Sequence, residues 1–126
     1  MQRDLIALSP DTPILDAHRL FVEEEIHGAP VIGEDDRVHG VVSTLDLLRI
    51  VRDALEPGAG GAAFDDTLTV SEAMTRDVIM VEPDTALAEV ARVMLGQRIH
   101  RVLVGKDRVV EGMVTTFDLL RALSAA

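Results

Sequence analysis

The sequence contains one stretch twice, and this repeat restricts the possible folds more than any other feature. The ten residues Gly40–Arg49 (GVVSTLDLLR) recur as Gly112–Arg121 (GMVTTFDLLR). Each copy predicts a short apolar strand that ends at a hydroxyl residue, Ser43 or Thr115, and continues as a helix with that residue as its N-cap. Self-similarity at this spacing indicates two units of the same fold within one chain.

Each strand–helix junction also carries an acid three residues after the hydroxyl, Asp46 or Asp118. A helix N-terminus presents unpaired N–H groups and a positive dipole end, so it is suited to bind a phosphate. A carboxylate, which only accepts, could bind the hydroxyls of a ribose. The same spacing also fits a capping box, although Glu or Gln is the usual partner there. The spacing alone leaves both interpretations open.

The repeat extends well beyond the junctions. Residues 1–12 align with residues 74–85 at an offset of 73, which has become 72 by Gly40 and Gly112, so the second copy lacks one residue of a polar turn. Each copy predicts the order strand, helix, strand, strand, helix, with Pro13 as a first helical residue. The predicted strands are Leu5–Leu8, Ala29–Ile32 and Val38–Val42 in the first copy, and Val78–Val81, Val102–Val104 and Val109–Val114 in the second.

The repeat divides the chain into residues 1–55 as the first motif, residues 56–68 as a Gly-rich flexible linker and residues 69–126 as the second motif. The second motif opens with Thr69–Glu72, a capping-box pattern that starts a helix. No counterpart precedes Met1. We therefore expect that the first motif either begins late or has been truncated at its N-terminal lead-in.

Composition excludes several classes of protein. A net charge of −10 and only three aromatic residues argue against nucleic-acid and anionic-membrane partners. The absence of Cys excludes disulfides, a thiol nucleophile and a thiolate metal site. The four His residues are dispersed without metal-ligand spacing, so neither a metal site nor catalytic residues are predicted. With no signal peptide and no apolar run near 20 residues, a cytoplasmic location is expected.

The two motifs resemble a tandem pair of CBS domains, the cystathionine-β-synthase-type regulatory motif. The matching segments are Val70–Thr75, Val78–Val81, Ile99–Val104 and Gly112–Leu120. The resemblance implies an α/β (α+β) fold in which two motifs pack around a pseudo-twofold and form clefts that bind adenosine-containing ligands. It covers nearly the whole chain apart from the linker.

The resemblance also implies roles for individual residues. The ribose would be bound by Asp46 and Asp118, and the phosphate by Ser43, Thr115, His27, His100 and Arg101. The adenine pocket would be lined by Ile6, Ala29, Pro30, Ile79 and Val102. Because both copies of the hydroxyl–acid motif are intact within this family context, we favour ligand binding over capping for the two acids. The first copy departs from the pattern, since Gly28 stands where the second has Arg101.

The two copies differ in charge. Residues 1–50 contain four Arg and ten acids, whereas residues 74–121 contain seven basic residues and seven acids. Glu23–Glu25 occupies the position of Gly96–Arg98, near a helix C-terminus whose dipole is unfavourable for acids. This run is either a solvated face or a source of negative potential that weakens polyphosphate binding. The second interpretation predicts unequal clefts.

These observations predict a regulatory, ligand-sensing module. An adenine nucleotide (AMP, ADP or ATP) or an S-adenosylmethionine-like ligand would shift the motifs and so signal to an unknown effector protein, without any catalytic cofactor. The alternative is a non-catalytic, dimerising interaction scaffold whose clefts are degenerate. An enzyme acting on nucleotides is disfavoured, since no nucleophile–base pair is apparent. A homodimer is expected because the closing helices carry extra apolar surface at Leu47, Leu48, Leu120 and Leu123.

Overall fold

The computed structural model of the protein describes residue 3, residues 5–55 and residues 68–125. The described residues divide into two compact units: those between Ile6 and Val78 form one, and those from Ile79 onward, with Arg3 and Leu5, form the other. The predicted linker lies outside the described residues except for Leu68. No helix in the described segments has both the length and the apolar content needed to cross a membrane.

The unit of residues 6–78, here called the first unit, contains a β-hairpin and three helices. Its elements in chain order are α1 (Ile14–Glu24), β1 (Gly28–Ile32), β2 (Val38–Ser43), α2 (Thr44–Leu55) and α3 (Val70–Ala73). Strands β1 and β2 pair antiparallel, so that Gly28 lies opposite Ser43. The hairpin therefore brings the start of β1 next to the start of α2.

The second unit repeats this plan with a three-stranded sheet. Its elements are β3 (Met80–Val81), α4 (Leu87–Gln97), β4 (Arg101–Lys106), β5 (Val109–Thr115) and α5 (Thr116–Ala125). Strand β4 is central, parallel to β3 and antiparallel to β5. Within the described residues the protein thus has five helices and two sheets, which confirms the predicted mixed α/β class.

Three local details differ from the expectations. The predicted strand Leu5–Leu8 is reduced to a single bridge at Leu8, whose N–H and C=O hydrogen-bond the backbone of β1 at 2.9 and 2.8 Å. The predicted strand Val78–Val81 is shortened to Met80–Val81. Pro13 is the N-cap of α1 rather than its first helical residue, because its ψ of 143° is extended.

Each unit buries its own apolar core between its helices and the inner face of its sheet. The first core contains Leu8, Ile14, Ala17, Phe21, Ala29, Val31, Val42, Leu47 and Val70. The second core contains Val81, Val90, Met94, Val102 and Val104. In α4 the buried residues Val90 and Met94 are four positions apart and therefore lie on one face of the helix.

The segment 68–75 belongs to the second sequence motif but packs in the first unit. Val70 is fully buried in the first core, and the Ile14 N–H donates to the Leu68 carbonyl at 3.0 Å. Val41 of β2 and Thr75 exchange two backbone hydrogen bonds of 2.9 Å. The packed units and the sequence repeats therefore divide the chain at different residues.

Candidate functional site

Both predicted hydroxyl–acid pairs lie where a strand passes directly into a helix. Ser43 is the last residue of β2 and Thr115 is the last residue of β5. The backbone N–H of Asp46 donates to Ser43 Oγ at 3.2 Å, and that of Asp118 donates to Thr115 Oγ1 at 3.2 Å. The two hydroxyls thus cap their helices, as the sequence predicted.

At the first junction the carboxylate of Asp46 is fully engaged. Its Oδ2 accepts from the Ser43 N–H at 2.8 Å and from Ser43 Oγ at 3.1 Å. Its Oδ1 accepts from Arg49 Nη1 at 3.0 Å and from Thr75 Oγ1 at 3.2 Å. A carboxylate has about four acceptor positions, and this side chain is only 5% exposed. The arrangement is a reciprocal cap reinforced by two further donors.

At the second junction the carboxylate of Asp118 can accept further hydrogen bonds. Its Oδ2 accepts from the Thr115 N–H at 2.9 Å, but its Oδ1 has only a 3.5 Å contact with Arg121 Nη1. That contact is at the limit of a hydrogen bond. Among the described residues the Thr115 hydroxyl proton has no acceptor. The side chain of Asp118 is 16% exposed, so this junction offers both a donor and an acceptor to a ligand.

A basic cross-strand partner accompanies the second junction but not the first. Arg101 is the direct cross-strand partner of Thr115, whereas Gly28 is the partner of Ser43. Directly opposed side chains lie on the same face of a sheet, with Cβ atoms about 4.5–5.5 Å apart. Arg101 forms no hydrogen bond or ion pair with the described part of the chain, so its guanidinium remains available.

The backbones of His27 and His100, and not their imidazoles, are hydrogen-bonded to the junctions. The carbonyl oxygen of His27 accepts from the Thr44 N–H, and that of His100 accepts from the Thr116 N–H, both at 2.9 Å. Each bond ties the start of a strand to the first turn of the following helix. The imidazoles are exposed and line grooves between helices.

The residues assigned to the adenine pocket do not all share one face. Ala29 and Val102 lie in the two cores. They alternate with Pro30 and Arg101 along their strands and therefore point to the other face of the sheet. Pro30 is buried, whereas Ile6 and Ile79 are half-buried. The assignment of an adenine pocket to the five residues stays a prediction.

Two residues that donate hydrogen bonds to the Asp46 carboxylate were not predicted from the sequence. Arg49 stands three residues after the acid, a helical spacing at which ion pairs are common, so its contact could have been found. Thr75 is 29 residues away, and nothing local in the sequence indicates its hydrogen bond. In the described segments, no three His, Asp or Glu side chains lie close enough together to hold a metal ion.

Comparison with known proteins identifies the fold. The family model of the CBS domain matches residues 1–53 and 70–125. The crystal structure of CBSX2 in complex with AMP is similar with a TM-score of 0.83 and 28% identity, over 99% of this chain and 92% of that one. The CBS domain pair of protein MJ0100, in complex with 5-methylthioadenosine and S-adenosyl-L-methionine, has a TM-score of 0.76 and 25% identity over the same shares.

Curated relatives are longer than this chain. The 5'-AMP-activated protein kinase subunit gamma-3 of Sus scrofa is 29% identical over 96% of this chain, which spans 24% of that subunit. Across the first such relatives the chain spans 22% to 41% of their length. Since the family model covers most of both sequence motifs, the chain belongs to the CBS domain family and has the mixed α/β fold of a CBS pair.

Proposed function

We propose that this CBS pair is a regulatory module that binds an adenosine-containing ligand, with the junction of Thr115 and Asp118 as its stronger site. One observation carries the proposal: at the start of α5 the Thr115 hydroxyl proton has no acceptor among the described residues, Asp118 Oδ1 is nearly free, and Arg101 is the cross-strand partner of Thr115. The AMP complex of CBSX2 and the S-adenosylmethionine complex of MJ0100 support adenosine as the shared part of the ligand.

Each group at this junction has a role that follows from its chemistry. Asp118 Oδ1 accepts from a ribose hydroxyl, since a carboxylate repels phosphate and cannot donate to it. The Thr115 hydroxyl and the first N–H groups of α5 donate to a phosphate, which the positive end of the helix dipole also favours. Arg101 adds a charge-assisted hydrogen bond to the same phosphate. The predicted phosphate role of His100 stays a prediction, because its imidazole lines the groove between α4 and α5, whereas Arg101 is the cross-strand partner of Thr115.

The first junction is the weaker site in this proposal. A ribose hydroxyl can reach Asp46 only by displacing one of its four donors, and a hydrogen bond to a charged group is worth about 1.5–3 kcal/mol. The cross-strand partner of Ser43 is Gly28 and not an arginine, so this junction lacks the counterpart of Arg101. The predicted phosphate role of His27 stays a prediction, because its imidazole lines the groove between α1 and α2.

The output of the module is part of the same proposal. Ligand binding changes the arrangement of the pair, and an effector protein, or a further part of a longer chain, responds to that change. A homodimer and a cytoplasmic location complete the proposal. No catalytic cofactor is required, because the module binds its ligand without transforming it.

Thermal unfolding with added ligand tests the proposal. A ligand that binds only the native state stabilises it by about 2.7 kcal/mol at a hundredfold excess over Kd. We expect AMP, ATP or S-adenosylmethionine to raise the Tm, and Asp118→Asn to remove most of that rise. Asp107→Asn, in the β4–β5 turn, is the matched control and should respond like the natural protein. No rise with any of these ligands at millimolar concentration would contradict nucleotide sensing.

The saturated carboxylate of Asp46 favours a second candidate, an interaction scaffold with degenerate ligand sites. In that case the protein would retain no nucleotide through purification and would still self-associate. Native mass spectrometry of the freshly purified protein separates the two. A bound mass of an adenosine-containing compound supports sensing, and an unliganded dimer that gains no mass on adding nucleotide supports the scaffold.

A further inference from the structure

An arginine follows each acid at the same spacing along its helix, but the two arginines bind differently. Arg49 stands three residues after Asp46, and Arg121 stands three residues after Asp118. Arg49 Nη1 donates to Asp46 Oδ1 at 3.0 Å, a normal charge-assisted hydrogen bond. Arg121 Nη1 lies 3.5 Å from Asp118 Oδ1, the outer limit of such a bond. The second arginine therefore leaves its carboxylate oxygen nearly free, whereas the first does not.

An aromatic ring lies beside the second arginine and is missing from the first copy. The Cζ atom of Arg121 lies over the ring of Phe117, 5.5 Å from the ring centroid. A guanidinium within about 6 Å of a ring centroid is attracted by the negative face of the ring. The two residues are four positions apart on α5, so their side chains are neighbours on the helix surface. The equivalent of Phe117 in the first copy is Leu45, which has no such face.

Solvent exposure of the arginines and of the residues before the acids does not account for the difference. Leu45 is 61% exposed and Phe117 is 66% exposed. The side chains of Arg49 and Arg121 are 61% and 73% exposed. Water therefore competes for both guanidiniums to a similar degree, and an ion pair of such an exposed side chain is weak. A cation–π contact at an exposed site is of similar strength, so it can draw the guanidinium away from the carboxylate.

We propose that Phe117 is a positioning residue that holds Arg121 away from Asp118 and so keeps Asp118 Oδ1 open to the ribose of a ligand. The proposal rests on the proposed function, since it names the residue that keeps the stronger site accessible. Phe117 acts through Arg121 and does not need to touch the ligand. Without the ring, Arg121 takes the position that Arg49 has in the first unit and occupies the carboxylate.

Replacement of the ring tests this role in adenosine binding. Adenosine carries the ribose but lacks a phosphate that Arg121 could attract. Phe117→Leu should weaken adenosine binding roughly fivefold, because Arg121 then competes for Asp118 Oδ1. Leucine is the better helix former, so the substitution does not weaken α5 itself. Calorimetric titration measures the affinities, and circular dichroism verifies the fold.

Removal of the arginine shows whether the ring acts through it. In Phe117→Leu/Arg121→Gln no guanidinium remains to occupy Asp118, so the adenosine affinity should return to within about 1.5-fold of the original. Arg121→Gln alone should change the affinity by less than about 1.5-fold, because the ring already holds the arginine away. A Phe117→Leu protein that binds adenosine as tightly as the natural one would overturn the proposal. A double variant that stays weak would also overturn it, since Phe117 would then act on the ligand or the fold directly.

Two variants serve as controls for the loss of the ring. Phe117→Tyr keeps the aromatic face and should keep the adenosine affinity. Leu123→Ala removes apolar surface from another exposed position of α5 and should also keep it. A loss in Leu123→Ala equal to that in Phe117→Leu would assign the effect to apolar surface and overturn the role of the ring.

A measurement without ligand separates this proposal from nucleotide binding. A double-mutant cycle of Asp118→Asn and Arg121→Gln in urea unfolding gives the coupling between these two side chains. The coupling should be near zero in the natural background and should favour folding about two- to fivefold in the Phe117→Leu background. Equal coupling in both backgrounds would overturn the proposal and assign the difference between the arginines to the deeper burial of Asp46.

The two proposals therefore fail in different measurements. A natural protein that binds no adenosine-containing ligand would overturn the proposed function, and the ribose role of Phe117 would fall with it. The coupling of Arg121 with Asp118 in the ligand-free protein would still decide whether Phe117 positions Arg121.

Discussion

The Thr75 hydroxyl donates a 3.2 Å hydrogen bond to Asp46 Oδ1, although the two residues are 29 positions apart. Thr75 lies near the C-terminal end of the first unit, and its backbone is bridged to Val41 of the same unit. This bond supplies the fourth donor to the Asp46 carboxylate, whereas Asp118 has no comparable donor among the described residues. The hydroxyl–acid pair is therefore fully hydrogen-bonded within the first unit, whereas in the second unit it can still bind a ligand.

The first prediction separates these two roles by stability. Asp46→Ala should lower the free energy of unfolding by about 2–3 kcal/mol, since it strips four donors of their charged acceptor. Asp118→Ala loses one short bond to a cap and should cost only about 0.5–2 kcal/mol. Urea denaturation without ligand measures both. If Asp118→Ala proved the more destabilising variant, the assignment of the stabilising role to Asp46 would be wrong.

A second prediction concerns the close approach of the 74–75 segment to β2. A Cβ at Gly40 would lie 2.8 Å from the Thr75 carbonyl oxygen and 2.7 Å from Met74 Sδ. Gly40→Ala should thus destabilise the protein by about 1–3 kcal/mol, as overpacking does. Gly96→Ala is the matched control, because Gly96 lies in α4 with nothing within 4 Å. That change should stabilise by about 0.5–1 kcal/mol.

Both glycine variants are compared by thermal and urea unfolding. Equal effects of the two substitutions would mean that the close approach at Gly40 has no effect of its own on stability. A neutral Gly40→Ala would mean that the segment at Thr75 can move away from β2 at little cost.

A third prediction assigns the phosphate contact to Arg101. A phosphate a few ångströms from a guanidinium gains roughly 1–4 kcal/mol at effective dielectrics between those of water and a protein surface. Arg101→Ala should therefore weaken ATP and ADP more than adenosine in calorimetric titrations. Lys106→Ala, which removes a charge at the other end of β4, should weaken neither. Equal losses for adenosine and ATP would show that Arg101 supports the fold or the base instead.

A fourth prediction follows from the unfavourable C-cap of α1. Glu25→Gly removes both the left-handed strain of a residue with a Cβ and an acid at the negative end of the helix dipole. The free energy of unfolding should rise by about 1–2 kcal/mol. Arg98→Gly relieves the same strain but loses a favourable charge, so its gain should be smaller. Urea unfolding at low protein concentration compares them, and equal gains would contradict the dipole argument.

Local interactions explain what could be predicted from the sequence. The caps formed by Ser43 and Thr115 join atoms three residues apart, and the bond from each acid's N–H forms as soon as the helix does. The family resemblance placed Arg101 near the second junction, and the short turn that joins β4 and β5 sets the register that pairs it with Thr115. Such contacts depend on helical and hairpin geometry alone.

The features of the core and the site that the sequence did not predict depend on contacts between distant segments. The repeat pattern assigns Val70 and Thr75 to the second motif, yet burial places Val70 in the first core and a hydrogen bond places Thr75 on Asp46. Leu47 and Leu48 are the same residue type in adjacent positions, and only packing against α1 and the sheet made one core and the other surface. Two similar motifs thus acquired different chemistry because the sequence determines which groups are present locally, whereas tertiary packing determines which of those groups are already satisfied.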